Sequence, residues 1–443
     1  MVMLDCPEFV ATFLGAMRMG AIPVLTNPLL PGSDLARIIA DSRARVIVVS
    51  GEHSESIATI IEDAPEVEQV VVVGRADDGQ VSWDAFVGTD EHPTPYSTWR
   101  DSPGFWLCTS GTTGMPKLAM HTHGDIPDTI ETYAKNVLSI SSEDRFFSVG
   151  PMFHAYGLGN SLTFPLAVGA TAILESTRPP SPQLVADIME AEEPTLFFCI
   201  PTFYAVLTNS ELDDDTFASV RYGVSAAEAL PAETFNRFQE RFGVTILDGI
   251  GSTELLHIFL SNNPDRHAPG TSGVEVPGYD VRIVNDDGAD VADDEPGILL
   301  VRGASSAMGY WSRSEMTRAT FQGDWTRTGD LYVRSAEGFY TYLGRSDDML
   351  KVGGEWVSPA EVEGVLIEHP SVLEAAVVGE KDADDITRPL AYVISAPDAN
   401  ADDDVLTDWC KERLAGFKRP KRYEIVEELP KTATGKIQRY KLR

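Results

Sequence analysis

Nine consecutive residues, Thr109-Ser110-Gly111-Thr112-Thr113-Gly114-Met115-Pro116-Lys117, gather the groups that could hold a phosphate. Glycines and hydroxyls in one loop let backbone amides and side-chain donors wrap an anion, and Lys117 adds a positive charge. The stretch follows the apolar run Phe105–Cys108, as a loop leaving a strand would. It is not a Walker loop, in which the lysine follows Gly and precedes Ser or Thr, and it is not GxGxxG. On residue types alone, a flexible surface turn is an equal reading. Other chemistry is sparse. Cys6, Cys108, Cys199 and Cys410 are far apart with no CxxC pair, which suggests neither a disulfide framework nor a zinc site. His53, His92, His121, His123, His267 and His369 lack ligand spacing and read as structural or exposed.

The chain that must position this loop has 443 residues, more than one ordinary domain. No apolar run approaches the ~18 residues that span a bilayer, and the opening MVMLDCPEFV lacks the basic stretch of a secretory signal. A cytoplasmic protein with no membrane partner is expected. Asp plus Glu number 68 against 35 Lys plus Arg, for a net charge of −33. Such a body repels nucleic acid. The acids are scattered through turns, as at Asp213-Asp214-Asp215 and Asp402-Asp403-Asp404. With only ten lysines, this surface suits a salt-rich, halophilic cytoplasm, where screening removes self-repulsion; an ordinary acidic protein is the alternative. Residues 411–443 invert the balance, with eleven Lys or Arg against four Glu. That tail meets either a bound anion or the acidic body.

Short β-branched runs alternate with amphipathic stretches: Arg45–Val49 and Val70–Val73 around a helix near Glu55–Glu62, Leu196–Ile200 after Gln183–Glu192, Val244–Leu247 after Ala232–Phe242. This alternation predicts βαβ units and mostly parallel sheet. From about Asp280 the texture turns to short strands (Val281–Val284, Ile298–Val301, Gly338–Leu343), a more antiparallel β-subdomain. The last hundred residues predict a small α+β unit, with helices at Pro359–Glu368 and Val405–Leu414 and strands near Ala375–Val378 and Ala391–Ile394. At the front, Val2-Met3-Leu4 reads as the end of a strand and Asp5 as the cap of helix Glu8–Met19. A strand cut at its start leaves unpaired backbone groups, so an upstream extension with a further strand and helix is expected.

The nine-residue loop resembles the phosphate loop of the adenylate-forming superfamily: acyl-CoA synthetases, adenylation domains of peptide synthetases and luciferases. Later motifs arrive in that family's order. Asp248-Gly249-Ile250-Gly251-Ser252-Thr253-Glu254 is similar to the segment holding adenine, ATP phosphates and magnesium, and Thr328-Gly329-Asp330 to the ribose-binding motif. Gly344-Arg345-Ser346-Asp347-Asp348-Met349-Leu350-Lys351-Val352-Gly353-Gly354 resembles the hinge and the glycine loop beyond it. Pro430-Lys431-Thr432-Ala433-Thr434-Gly435-Lys436 resembles the C-terminal catalytic lysine motif. Within the superfamily, Phe153-His154-Ala155-Tyr156-Gly157-Leu158-Gly159-Asn160 and the run Gly251–Asn262 look like the two pocket segments of benzoate–CoA ligases, with His154 in place of Phe. Ser225-Ala226-Ala227-Glu228 resembles the adenine-side turn, with Ala227 in place of Gly.

The resemblance implies an α/β fold: a large N-terminal domain, 1–346, of βαβ subdomains plus a β-rich subdomain, and a small mobile α+β C-terminal domain, 347–443. It implies an aryl-acid:CoA ligase that forms aryl-AMP and pyrophosphate, then aryl-CoA and AMP. The alternatives are loading of a carrier-protein thiol and an inactive nucleotide-binding relative. Carried over by position, ATP would be held by Thr109, Ser110, Gly111, Thr112, Thr113, Gly114 and Lys117, with Glu228, Asp248, Gly249, Ile250, Asp330, Tyr342 and Arg345 around the nucleoside. Mg²⁺ would sit on Glu254 beside Thr253, and Lys436 near the reacting carboxylate. Ala155, Tyr156, Gly251, His257 and Ile258 would line the aromatic acid's site, although a core role for His257 or Tyr156 stays open. Asp347 would be the hinge, and Gly353 and Gly354 the loop passing coenzyme A. The chemistry accounts for these types. A carboxylate attacking the α-phosphorus is an anion meeting an anion, so positive charge must be concentrated locally. Oligomeric state stays open, a homodimer included.

Overall fold

The computed structural model describes residues 1–87, 94–109, 116–346, 348–352, 355–382, 387–396, 399, 401–431 and 437–442. Backbone pairing begins at the first residue, where Met1 N donates to the Val24 carbonyl (2.8 Å) and the Met1 carbonyl accepts from the Thr26 N–H (3.0 Å). Val2 bridges Val49 and Thr26, both in parallel, so the opening segment lies between two three-stranded sheets. One is Val46–Ser50, Gln69–Val73 and Val81–Ser82, and the other Val24–Leu25, Pro103–Thr109 and Lys117–Thr122. Asp5 does not cap the following helix, Pro7–Arg18, whose N-cap is Cys6 with no side-chain bond. Its carboxylate is buried and accepts from the Met152 N–H (2.9 Å) and the Arg178 guanidinium (2.8 Å). A buried carboxylate needs a cation more than a helix end needs a cap. Burial raises the Asp5 carboxyl to about 6 even against Arg178.

The central sheet has seven strands, in the spatial order Val274–Glu275, Ile258–Ser261, Ile246–Gly251, Tyr222–Ser225, Leu196–Cys199, Arg145–Ser148, Thr171–Ile173. Pairing is parallel from Thr171–Ile173 to Ile246–Gly251 and antiparallel beyond. The crossover helices follow the expected pattern. In Ala232–Phe242, Phe235, Phe238 and Phe242 recur at helical spacing and are buried, and Gly243 at φ 72° ends it. Helix Pro182–Glu192 starts where the Ser181 hydroxyl accepts the Leu184 N–H (3.1 Å). Phe197, Tyr204, Phe217, Phe238 and Phe242 pack edge to face or tilted between sheet and helices.

The β-rich part has five strands, centred on Trp325–Arg334, which pairs with Gly297–Arg302, Phe321–Gln322 and Tyr340–Arg345. The C-terminal unit has strands Val372–Lys381, Thr387–Ser395 and Arg422–Ile425 with helices Pro359–Ile367 and Asp403–Arg413. The basic tail is paired largely within this unit. Lys418 binds Glu361, Arg422 Glu380, Lys431 Glu374, and the mostly buried Arg439 grips Glu363 (2.7 Å). Among the described residues no helix is long and apolar enough to cross a membrane.

Candidate active site

The antiparallel hairpin Pro103–Thr109 and Lys117–Thr122 sets Thr109 opposite Lys117 in register. Lys117 Nζ lies 5.0 Å from the centre of the Tyr310 ring, and the Tyr310 hydroxyl donates to Glu254 Oε1 at 2.6 Å. Thr253 and Glu254 occupy the turn between the central strand Ile246–Gly251 and its antiparallel neighbour. Leu256 has φ 67° and ψ −41°, and the His257 N–H donates to the Leu255 carbonyl (2.8 Å). That is a positive-φ γ-turn, a strained form. The Thr253 carbonyl faces His121 Nε2 (2.8 Å) and the Glu254 carbonyl accepts from Ala307 N–H (2.8 Å).

A second group lies on the β-rich part. Asp330 and Arg345 are cross-strand partners, and Arg345 Nη1 donates to Asp330 Oδ1 (3.1 Å) and the Thr328 carbonyl (2.8 Å). Gly329, at φ 78°, lets Arg345 approach: a Cβ there would lie 2.8 Å from Nη2. Tyr342 packs on Tyr332 at 5.6 Å, and burial with the Asp330 charge pushes its phenol up. Asp248 is buried in the sheet opposite Ser225, and burial holds its carboxyl well above the usual range. Gly249 and Ile250 continue that strand toward the turn. Glu228 accepts from the Thr202 hydroxyl (2.6 Å). Ala227 has φ 80°, a conformation natural to the Gly it replaces in the resembled motif.

The third group is aromatic. Ala155 and Tyr156 open a short helix, Ala155–Leu158, and the Tyr156 hydroxyl donates to the Val224 carbonyl (2.9 Å), leaving its ring as an apolar surface. His257 is buried among Tyr133 (5.1 Å between ring centres), Phe164 (4.6 Å) and Tyr156 (5.8 Å), and its Nε2 meets Asn160 Oδ1 at 3.2 Å. Ile258 is buried beside it. Gly251 is obligatory, because a Cβ would lie 2.5 Å from the His257 carbonyl oxygen, and a Cβ on Gly159 would lie 2.5 Å from the imidazole.

The fold thus brings together Lys117, Thr253 and Glu254; Asp330, Tyr342 and Arg345; and Ala155, Tyr156, Gly251, His257 and Ile258. Ser110, Gly111, Thr112, Thr113, Gly114, Asp347, Gly353, Gly354 and Lys436 lie outside the described residues. Sequence reasoning did not single out Tyr310, Asn160 or Tyr133, nor the bond from His121 to Thr253. The four-residue spacing of His121 and Asp125 is the one signal that was available.

Two family descriptions match the chain: AMP-binding enzyme over residues 1–311 and AMP-binding enzyme C-terminal domain over residues 361–436. It belongs to the adenylate-forming, AMP-binding enzymes. The chain is 47% identical over 446 residues to a benzoate–CoA ligase of Thauera aromatica, covering 99% of this chain and 84% of that one. It resembles the solved anthranilate CoA ligase in complex with anthranoyl-AMP (40% identity, TM-score 0.94, 100% of this chain and 86% of that one). It also resembles a benzoate CoA ligase from Burkholderia xenovorans LB400 (41%, 0.93, 100% and 88%).

In this AMP-binding enzyme the aromatic group is electrically quiet. Burial drops the His257 imidazole to about 3, so the ring is neutral at working pH. Its folded value lies below the ordinary value near 6.5, so the folded state binds fewer protons between the two. The contribution to stability is whole above about pH 6.5 and falls as pH drops toward about 3, by about 1.4 kcal/mol per pH unit. His257→Gln lacks that titration. Urea midpoints should therefore separate wild type from this variant more at about pH 7.5 than at about pH 5. A separation that does not change with pH would contradict a buried neutral His257.

Proposed function

We propose that this enzyme is an ATP-dependent aryl-acid:CoA ligase of the benzoate type. A carboxylate oxygen of the aromatic acid bonds to the α-phosphorus of ATP as pyrophosphate leaves. The CoA sulfur then bonds to the acyl carbon, AMP leaves, and the thiol proton is released. The observation that carries this reading is the 47% identity to a benzoate–CoA ligase along nearly the whole chain; the uncharged aromatic group adjoining the Glu254 turn supports it. Lys117 serves the triphosphate, Asp330 accepts from the ribose hydroxyls, and Tyr156 and Ile258 exclude water from the aryl ring. Magnesium suits Glu254. Among the described residues no group of three His, Cys, Asp or Glu converges, and Tyr310 alone meets that carboxylate. Mg²⁺ is commonly held by one or two carboxylates plus phosphate oxygens, and when bound it neutralises phosphate charge. The division at 346/347 makes Asp347 a hinge. Rotation there withdraws Lys436 and brings in Gly353-Gly354, where the pantetheine arm passes close to the backbone.

Pyrophosphate exchange over benzoate, hydroxybenzoates, aminobenzoates, cinnamate and short fatty acids tests the substrate class. Aromatic acids should exceed fatty acids, and free CoA should yield thioester. Exchange without thioester would point instead to a carrier-protein thiol. Lys436→Ala should slow adenylate formation about 10²–10³-fold, the usual loss for one preorganised charge, and spare CoA transfer from supplied aryl-adenylate. Adenylate formation at the normal rate in this variant would refute the assigned role.

The net charge of −33 with few lysines supports a salt-rich cytoplasm. Activity and melting temperature should both rise toward molar salt, where the Debye length is ~3 Å. An unchanged melting temperature in dilute buffer would rule out this adaptation and leave the ligase reading intact.

A further inference from the structure

We propose that His121 and Asp125 are positioning residues for the Thr253–Glu254 turn; the proposal rests on the ligase reading. His121 is 0% exposed and Asp125 2%. His121 Nδ1 meets Asp125 Oδ2 at 2.6 Å, and Nε2 meets the Thr253 carbonyl at 2.8 Å. Asp125 also accepts from the Thr122 hydroxyl (2.5 Å) and the Thr122 N–H (3.2 Å). The Thr253 carbonyl can only accept, so Nε2 carries a hydrogen and donates to it, while Nδ1 lies against the Asp125 carboxylate. Phe105 stacks on it at 5.2 Å and 15°, which fixes the ring plane.

The consequence lies across 132 residues of sequence. His121 shares the strand Lys117–Thr122 with Lys117, so a single element aims one cation at Tyr310 and a donor at the turn carrying Glu254. Holding the Thr253 carbonyl orients the 253–254 peptide plane and with it the departure of the Glu254 side chain. Glu254 Oε1 is then in place for the Tyr310 hydroxyl. The Leu256 γ-turn on the far side is strained and would relax if this hold were lost. A His121 that merely filled space would need the stack on Phe105 but no directed Nε2.

Three variants of the full chain separate these roles. His121→Gln keeps a donor near the position of Nε2, His121→Asn keeps one only near Nδ1, and His121→Phe keeps the stack alone. In pyrophosphate exchange, His121→Gln should stay within about threefold of wild type. His121→Asn and His121→Phe should lose about 10²-fold in kcat, the cost of a displaced catalytic group, with the aromatic acid's KM changed by less than about threefold. Calorimetry should show about tenfold weaker Mg·ATP binding in the same two variants. The proposal is overturned if folded His121→Gln is as poor as His121→Phe, or if losses rank with melting temperature rather than with the Nε2 donor. Should wild type form no aryl-adenylate, the ligase reading fails alone. Mg·ATP affinity then decides: weakening confined to Asn and Phe upholds the positioning role, and equal affinity in all refutes it. Should the His121 variants not fold, Asp125→Asn takes their place. It should lose about tenfold in kcat at unchanged aryl-acid KM, and a wild-type kcat would overturn the proposal.

Discussion

Three consecutive carbonyls, of Thr253, Glu254 and Leu255, face partners from outside their own strand pair, and the geometry of the site follows from that. Thr253 is held by His121 from the hairpin at the front of the chain, Glu254 by the Ala307 N–H, and Leu255 by the Ser305 hydroxyl (2.8 Å). A γ-turn at Leu256 is strained by roughly 1–3 kcal/mol and persists only when its surroundings over-determine it. Here the surroundings are two other parts of the fold. The same bonds dock those parts. Met120 and Met308–Gly309 exchange backbone hydrogen bonds, and the Trp311 N–H donates to the Leu118 carbonyl, so the segment carrying Tyr310 runs as an extra strand beside Lys117–Thr122.

The second constraint is charge. A body this acidic must keep its few cations where negative groups are to meet, yet many arginines are committed to structural pairs. Arg178 is buried with Asp5, Arg313 ties Asp41, and Arg439 grips Glu363. At the site itself, Lys117 rests on an aromatic face and Arg345 on Asp330. Interactions among partly buried groups are weakened by salt far less than those between surface carboxylates. High ionic strength would therefore quiet the acidic surface while leaving these local fields in place.

Much of the architecture is legible in the sequence. The βαβ alternation, the change of texture near Asp280 and the α+β end all follow from hydrophobic period, which is a local property. The crossover helix Ala232–Phe242 has the expected bounds, and its burial pattern is the one its phenylalanines spell out. Lys117, Glu254, Asp330 and His257 were singled out by the resemblance of their motifs to those of the family, and the roles given to them are proposed ones. Asp5 was misread as a cap, since its competing partners, Met152 and Arg178, lie 147 and 173 residues away. The basic tail left two readings open, and the described cations chose carboxylates largely within their own unit.

What the sequence determined by itself was which elements form, because periodicity is written within a few dozen residues; the residues proposed for ATP and an aromatic acid came from the resemblance of their motifs to those of the family. Only the tertiary structure decided how those residues are held. Tyr310 has no local signal linking it to Glu254, 56 residues earlier. His121 was one unremarkable histidine among eight until the fold set it against Thr253. Gly159 was merely small until its missing Cβ made room for the His257 ring. Hydrogen bonds and close approaches of this kind depend on the register and docking of separate sheets. Those are settled by burial of the whole core, which no single window of sequence contains.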